Sequence, residues 1–414
     1  MELFTPPTPD TPDAPRRSAE ELHQARAVRL SEVRKRRSRK RARVVLAFAL
    51  AGLLILALIA GAFTSSLTSL ADLGDSIRIG MTPGGGFPVK TGVTQVYQAE
   101  PLAGGFAALG ETDVVLVSAA GLKLRTVQHG YARPALAVGG SRLCVYNRAG
   151  YSLRVESRSQ TLYSETLKDP ILVCAMSQNG SLAVATRSDR YVAQVKIYGS
   201  SFQYRYGWNT TDAEGTPMRM AFAPDNKRLA VACLKAEGGQ IVTGIHLLDT
   251  RSDAVQTVIR APGSTLLQLH WVGNGQLLAV YDDHTALYSA DSGAEKARFD
   301  YGGSALTDAS VNGKYTALLF AQADGAGSRL VVLGGGLTLL SDRTDPTAAH
   351  GVTVTATGVY LLQADGVECR SLRGQPQWRT AMDERPQRVL SARKLLVFTG
   401  GQADWLQATE QLEE

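Results

Sequence analysis

The stretch MAFAPDNKRLAVAC, from Met220 to Cys233, carries the pattern that decides the fold. A short apolar strand is followed by a polar turn, Pro-Asp-Asn-Lys, and then by a second strand that is apolar at nearly every position. Proline, aspartate and asparagine favour tight turns, because proline presets φ and the short polar side chains bond to nearby backbone. A strand with continuous apolar residues is typical of a position buried on both faces.

Seven further segments have the same design of strand, tight turn and apolar strand. Together with 220–233, they are residues 106–118, 135–146, 174–186, 269–281, 309–320, 352–363 and 388–398. Successive turns are separated by 29, 40, 46, 48, 39, 45 and 35 residues, with a mean near 40. Self-similarity at about 40 residues, with several strands in each unit and no helical period, is typical of a β-propeller.

Two further strand candidates follow most of the hairpins, which predicts four strands in each blade. The last unit lacks a fourth strand, and we expect VTQVYQA at residues 93–99 to supply it and close the ring. Eight hairpins favour eight blades, whereas the short first interval leaves seven blades open. A β-sandwich is the rival fold, but its strands would alternate apolar and polar residues. We therefore predict an all-β propeller over residues 93–408, with 409–414 as a C-terminal tail.

A long apolar run, VVLAFALAGLLILALIAGAF at residues 44–63, contains no charge and no proline. A helix of about 20 residues spans about 30 Å, which matches the hydrocarbon core of a bilayer. A buried core helix is the alternative, but a helix that is apolar all round over this length favours a membrane. We therefore predict one transmembrane helix in the lipid bilayer, and a protein that crosses the cell membrane once.

The charges on either side of this helix predict its orientation. The formal net charge is +6; residues 1–43 hold 12 Lys/Arg and 6 Asp/Glu, whereas residues 64–414 hold 32 of each sign. The basic residues immediately before the helix are Arg34, Lys35, Arg36, Arg37, Arg39, Lys40, Arg41 and Arg43. The positive-inside rule places the N-terminus in the cytoplasm and the C-terminal domain outside it. Because the excess charge is local, a nucleic-acid partner is not expected.

A cleaved signal peptide is the alternative to a membrane anchor, since Ala60-Gly61-Ala62 fits a cleavage pattern. The apolar run is longer than a signal peptide needs, and a 43-residue arm precedes it, so an uncleaved signal anchor is favoured. We expect residues 1–17 to form a proline-rich disordered tail in the cytoplasm and residues 18–43 a basic juxtamembrane helix. Residues 64–92 are expected to be a linker.

Two stretches carry a resemblance to known proteins. AFAPDNKRLA at residues 221–230 resembles the F-S-P-D-G-K-x-L-A hairpin of WD40-like and TolB-like propellers, although the WD dipeptide is absent. GGGFP at residues 84–88 and QHGY at residues 128–131 fit an uncharacterised group of bacterial membrane proteins, mostly Gram-positive. Members of that group have a basic cytoplasmic arm, one membrane helix and a propeller-like ectodomain. The resemblance implies location and fold, and it implies no chemistry.

No catalytic or metal-binding pattern is found in the sequence. The six histidines form no H-E-x-x-H spacing, and no G-x-S-x-G nucleophile elbow occurs. Residues 282–284, Asp-Asp-His, are the densest polar group and indicate a hairpin turn. The first strands of the hairpins, such as ALAV at 135–138 and VTV at 352–354, are mostly small and apolar, which disfavours catalytic groups in the channel. We therefore expect no enzyme activity, no cofactor and no metal.

The four cysteines fall on strands of the predicted propeller. Cys144, Cys174 and Cys233 lie on or beside inner apolar strands, where cysteine behaves as a small apolar residue, and Cys369 lies on a later strand. Buried free thiols are favoured. A disulfide between Cys144 and Cys174, in adjacent blades, is the alternative, and the sequence does not choose among the pairings.

The favoured function is a membrane-anchored, extracytoplasmic propeller that binds or scaffolds a protein or a cell-envelope component. One candidate contact loop begins with an aromatic that we expect to be exposed and consists of Trp208, Asn209, Thr210, Thr211 and Asp212. Residues 323–328 are a second candidate loop. One alternative is an enzyme or small-ligand sensor that uses the channel, and another is transmembrane signalling through the cytoplasmic arm.

Overall fold

The computed structural model describes residues 67–322, 325–392 and 394–411, together with Leu46, Ala49, Ala51 and Gly52. Among these residues, no helix is both long enough and apolar enough to span a membrane. The predicted tail (1–17), the juxtamembrane helix with its basic flank (18–43) and most of the predicted membrane segment (44–63) lie outside the described residues. They remain predictions. By its contacts the chain divides into two units, residues 1–67 and 68–414, and the second contains all the strands below.

Short antiparallel sheets succeed one another along the chain, and in the first four the strands lie side by side in chain order. Blade 1 contains β2 (Gln98–Leu102), β3 (Gly105–Leu109), β4 (Asp113–Ser118) and β5 (Lys123–Gln128). Blade 2 contains β6 (Pro134–Gly139), β7 (Arg142–Asn147), β8 (Ser152–Ser157) and β9 (Thr161–Thr166). Blade 3 contains β10 (Ile171–Met176), β11 (Leu182–Arg187), β12 (Ala193–Tyr198) and β13 (Tyr204–Thr210). Blade 4 contains β14 (Thr216–Phe222), β15 (Arg228–Glu237), β16 (Gln240–Asp249) and β17 (Val255–Pro262).

Four more blades complete the propeller, which confirms eight blades and excludes seven. Blade 5 contains β18 (Leu266–Val272), β19 (Gln276–Tyr281), β20 (His284–Ser289) and β21 (Glu295–Asp300). Blade 6 contains β22 (Leu306–Val311), β23 (Thr316–Ala321), β24 (Ser328–Leu333) and β25 (Leu339–Asp345), with a 3-10 turn at Gly335–Leu337. Blade 7 contains β26 (Ala349–Val354), β27 (Val359–Gln363), β28 (Gly366–Arg370) and β29 (Pro376–Ala381). Blade 8 contains β30 (Arg388–Ser391), β31 (Leu395–Thr399), β32 (Gln402–Trp405) and, at its outer edge, β1 (Val89–Lys90).

The apolar core lies between the blades, which explains why the second strands are apolar at successive positions. On β7, Leu143 and Val145 pack into a cluster shared with blade 1, whereas Cys144 and Tyr146 pack into a cluster shared with blade 3. Neighbouring residues of a strand point to opposite faces, so a strand between two blades must be apolar on both. Among the described residues, every pair of successive blades shares such a cluster, including blades 8 and 1.

The ring closes with a strand from the start of the chain, as expected, but a different segment supplies it. Residues 93–99 were expected to complete the last blade; instead β1 pairs with β32, with Val89 opposite Ala403 and Lys90 opposite Gln402. The reason is that the strand starting at Gln98 is the inner strand of blade 1. Joining the two ends of the chain in one blade removes two free sheet edges from the ring.

The first predicted hairpin, residues 106–118, is displaced by one strand from the others. It joins β3 and β4, the second and third strands of blade 1, whereas the other hairpins join first and second strands. The inner strand β2, QAEPL, was missed because it contains a charge and a proline. The true first turn is at Ala103-Gly104, which accounts for the short first interval.

Helix α1 (Leu67–Met81) precedes the ring, inside the segment expected to be a linker. Its Asp75 carboxylate accepts a hydrogen bond from the Ser159 hydroxyl. The Arg158 guanidinium donates to the Ser76 hydroxyl at 2.5 Å. Ser159 and Arg158 lie in the turn between the third and fourth strands of blade 2, so α1 is attached to that blade.

Between α1 and β1 the chain crosses blade 1 in close contact. The Gly86 amide donates to the carbonyl oxygen of Ala120 at 3.1 Å. A Cβ added at Gly84 would lie 1.9 Å from the same oxygen, so only glycine fits at that position. Glycine in the GGGFP segment therefore permits the chain to lie directly on the blade.

The C-terminal segment adds a fifth strand to blade 7. Strand β33 (Glu410–Gln411) pairs with β29, opposite Trp378 and Arg379. The Thr409 hydroxyl also donates to the Arg379 carbonyl oxygen at 3.1 Å. This part of the expected tail is thus attached to an outer blade edge.

Candidate functional site

The predicted contact loop is largely a strand. Trp208, Asn209 and Thr210 lie on β13, and Trp208 is only 8% exposed. Its ring packs against the imidazole of His246 on blade 4, with ring centroids 5.2 Å apart. The expectation that Trp208 is exposed is therefore wrong, because the next blade covers the outer strand that carries it.

The remainder of that loop is an exposed turn. Thr211 and Asp212 are exposed, and the Glu214 carboxylate accepts hydrogen bonds from the Thr211 amide (2.8 Å) and hydroxyl (2.7 Å). In the second candidate loop, residues 323–324 lie outside the described residues, and Ser328 is buried at the start of β24. A contact role for either loop stays a prediction.

The inner strands carry more polar side chains than the sequence pattern indicated. They are Gln98, Glu100, Arg219, Gln268, His270, Asp308, His350 and Arg388. The expectation of inner strands that are mostly small and apolar is wrong for these blades. In blades 4 to 7 the inner strand begins three or four residues before the hairpin segment, and in blade 1 it lies before residues 106–118, so six of the eight polar groups fall outside those segments. Only β6 and β10 are apolar throughout.

Four of these eight polar groups, Gln98, Arg219, Gln268 and Asp308, join one inner strand to the next. Gln98 accepts from the Leu136 amide at 2.8 Å, and Asp308 accepts from the Val352 amide at 2.9 Å. Further side-chain to backbone bonds of this kind are Arg219 to Leu267 (2.9 Å), Gln268 to Ala309 (2.8 Å), Thr353 to Val389 (2.9 Å) and Gln387 to Val96 (2.7 Å). In the described residues these bonds cross six of the eight blade boundaries, so the groups hold the ring together.

Burial also shifts the pKa values of titratable side chains on the inner strands. It lowers the pKa of His270 to about 4 and lowers that of His350, which donates to the Pro386 carbonyl oxygen at 2.8 Å. Burial raises the pKa of Asp308. These directions follow from the cost of placing a charge in a poorly hydrated site.

A large pocket lies at the end of the ring where first and second strands turn. This turn-face pocket has a volume of about 860 Å³ and lies between blades 8 and 1, reaching the turns of blades 2 and 3. Its apolar wall includes Phe87, Leu102, Phe106, Val138, Leu396 and Trp405. A concave, mostly apolar site of this size with few polar groups is typical of ligand binding.

Glu100 is the acidic group of the turn-face pocket. It lies on β2, and burial raises the pKa of its carboxyl. Within the part of the chain that the structure describes, its carboxylate has neither a hydrogen bond nor an ion pair. An acidic side chain with a perturbed pKa in a cleft is typical of functional sites.

An aromatic wall closes the other side of the pocket. Phe87 stacks on Trp405 with ring centroids 5.2 Å apart and an interplanar angle of 29°. The Lys394 ammonium lies 3.4 Å from the centre of the Trp405 ring, within the range of a cation–π contact. Phe87 belongs to the GGGFP segment, so the segment that crosses blade 1 also builds the pocket.

Neither the repeat nor a motif indicated this pocket. Its residues come from four blades and from Gly86-Phe87, which are far apart in sequence. Glu100 could have been identified from the sequence if the first turn had been assigned to Ala103-Gly104. Residues 98–102 would then be the inner strand of blade 1, and Glu100 is its single acidic residue.

The polar and thiol groups singled out from the sequence occupy structural positions. Residues 282–283 form the turn before His284, whose Nδ1 lies 2.7 Å from the Asp283 carboxylate. The described residues contain no group of three or more potential metal ligands.

All four cysteines are buried free thiols, which confirms the favoured alternative over a disulfide, and Cys144 and Cys174 lie in one apolar cluster.

Solved structures share the fold at low sequence identity. BamB from Moraxella catarrhalis is 15% identical with a TM-score of 0.51, and the match covers 78% of this chain and 99% of that one. The computationally designed protein Ika8 is 12% identical with a TM-score of 0.54, covering 78% of this chain and 98% of that one. These likenesses show the propeller fold alone. No curated protein matches the chain.

A family model matches residues 89–405. This range begins with the closing strand β1 and ends with β32, so it contains all eight blades. It also contains the residues given for the turn-face pocket, except Gly86 and Phe87. Because the match spans most of the sequence, the chain belongs to the family described as "family of unknown function (DUF5711)".

Proposed function

We propose that the protein is a binding or scaffolding module whose propeller holds a protein or cell-envelope component at the turn-face pocket. The observation that carries this proposal is the pocket itself, a cavity of about 860 Å³ with a mostly apolar wall and the half-buried carboxyl of Glu100. Its walls belong to a rigid ring, so little ordering is needed when a ligand binds. Loops at the face of a ring fold are suited to such a role.

The same proposal includes the absence of enzyme activity. The polar side chains of the inner strands support a binding role over an enzymatic one. A catalytic centre needs groups that converge on a reacting atom at hydrogen-bond distance. Here Arg219, Gln268 and Asp308 each bond to the backbone of the next blade. They serve the ring, and among the described residues that line the pocket Glu100 is the single acid and no histidine occurs.

Location in the cell membrane is also proposed, with residues 44–63 as the anchor and the propeller outside the cytoplasm. The support is the apolar run and the basic residues on one side of it only. An anionic inner leaflet attracts a basic cluster further.

Co-purification from the native membrane tests the binding role. The full-length protein is extracted from its own cells, and bound material is measured by mass spectrometry. Ala103 is an exposed turn residue at the pocket, so Ala103→Trp places an indole in the mouth without disturbing the core. We expect Ala103→Trp to lower the bound component at least tenfold.

Ala254→Trp is the matched control, because Ala254 is also an exposed turn residue but lies on blade 4. It should retain the component at the wild-type level. Equal retention by both variants would overturn the assignment to the pocket, and conversion of the component to a product would overturn the non-enzymatic part.

A further inference from the structure

Among the described residues that line the turn-face pocket there is one acid, the half-buried Glu100, in a mostly apolar surrounding. Glu100 lies on the inner strand of blade 1, and burial raises the pKa of its carboxyl. Among the described lining residues the cation is Lys394, which lies on the Trp405 ring and forms no ion pair with Glu100.

An ionised carboxyl in such a place is costly unless a cation or a donor reaches it. A ligand cation that enters the pocket would supply the missing partner. The attraction would be stronger than at the surface, because the apolar wall lowers the local dielectric. We propose that the turn-face pocket binds an amphiphilic amine, with its apolar body against Leu102, Phe106 and Leu396 and its ammonium group paired with Glu100.

This inference rests on the proposed binding function and names the class of its ligand. The volume, about 860 Å³, accommodates a molecule larger than a free amino acid. The aromatic side of the pocket also suits a cation, since the face of Trp405 already holds the Lys394 ammonium at 3.4 Å. Among the described lining residues, Lys394 is the one cation and it is exposed, whereas the carboxylate of an anionic amphiphile would be repelled by Glu100 inside the pocket.

Three probes of equal chain length separate the alternatives: octylamine, 1-octanol and octanoate. Binding to full-length protein in zwitterionic nanodiscs is measured by isothermal titration calorimetry, with empty nanodiscs as the blank. We expect octylamine to bind at least tenfold more tightly than 1-octanol, and octanoate to bind no better than 1-octanol. Octylamine binding should weaken as pH falls, because protonation of Glu100 removes its charge.

The substitution Glu100→Gln keeps the shape of the side chain and removes its charge. It should lower octylamine affinity about tenfold and leave 1-octanol affinity unchanged. Glu295→Gln is the matched control, because it removes the charge of an exposed carboxylate on blade 5, away from the pocket, and it should leave octylamine affinity unchanged. Calorimetric unfolding of each variant verifies that the ring is intact.

Tighter binding of octanoate, equal binding of octylamine and 1-octanol, or an unchanged octylamine affinity in Glu100→Gln would overturn the amine assignment. Absence of octylamine binding at millimolar concentration would do the same. The binding function would survive any of these results if Ala103→Trp still released the native component. It would fail separately if that variant and Ala254→Trp retained the component equally.

Discussion

At the scale of single residues, buried charges between blades are the most vulnerable points of the ring. Glu156 on blade 2 is fully buried. Its carboxylate lies 3.0 Å from the Arg125 guanidinium on blade 1 and 2.9 Å from that of Arg154, and it accepts from the Thr161 hydroxyl at 2.8 Å. Two guanidinium groups therefore share one carboxylate, and each also donates to a backbone carbonyl oxygen, Arg125 to that of Ser157 and Arg154 to that of Gln128.

We expect Glu156→Ala to destabilise the protein by about 3 kcal/mol, because removing one partner of a buried ion pair leaves the others uncompensated. Thermal unfolding followed by circular dichroism measures the change. Glu295→Ala is the control: its carboxylate is 40% exposed and 3.6 Å from Arg298, so a change below about 0.5 kcal/mol is expected. Similar losses in the two variants would contradict this account.

At the scale of elements, closure of the ring depends on a strand of two residues. Val89 on β1 is 7% exposed and belongs to the apolar cluster between blades 8 and 1. Lys90, its neighbour, is exposed on the other face. Both pair with β32, so they share backbone geometry and differ in what the side chain contacts.

Val89→Asp should open this closure, whereas Lys90→Asp should leave it intact. The first places a charge in an apolar cluster, at a cost of about 3 kcal/mol or more, and the second changes only an exposed side chain. Hydrogen exchange followed by mass spectrometry measures the effect. Amides of β30–β32 should lose protection in Val89→Asp first, before those of blades 3 to 6; a uniform loss along the chain would speak against a local closure.

The elements also show what sequence can predict. The repeat predicted eight blades because the second strands must be apolar on both faces, as Leu143 and Cys144 illustrate. Inner strands also carry polar side chains, so their sequences do not show the continuous apolar pattern. The inner strand QAEPL at 98–102 was therefore not recognised, and residues 93–99 were wrongly predicted to close the ring. The turn-face pocket escaped for a different reason: it is formed by residues that only the closed ring brings together, among them Phe87 and Trp405.

At the scale of the whole molecule, the excess of positive charge lies in the part of the sequence that precedes the propeller. Residues 1–43 contain the entire excess of positive charge, and residues 64–414 are balanced at 32 charges of each sign. A balanced propeller has no net field with which to attract a polyanion. The proposed binding function therefore relies on a local feature, the turn-face pocket.

The proposed topology can be tested with two engineered thiols, because the native cysteines contribute little background. Cys144, Cys174, Cys233 and Cys369 are at most 5% exposed. Lys296→Cys places a thiol on the exposed outer strand of blade 5, and Thr11→Cys places one in the N-terminal arm. In intact cells, a membrane-impermeant maleimide should label position 296 and not position 11, because the basic flank holds the arm in the cytoplasm. Position 11 should react only after the membrane is permeabilised. Labelling of position 11 alone in intact cells would indicate the opposite orientation. Labelling of neither position in intact cells would place the propeller in the cytoplasm.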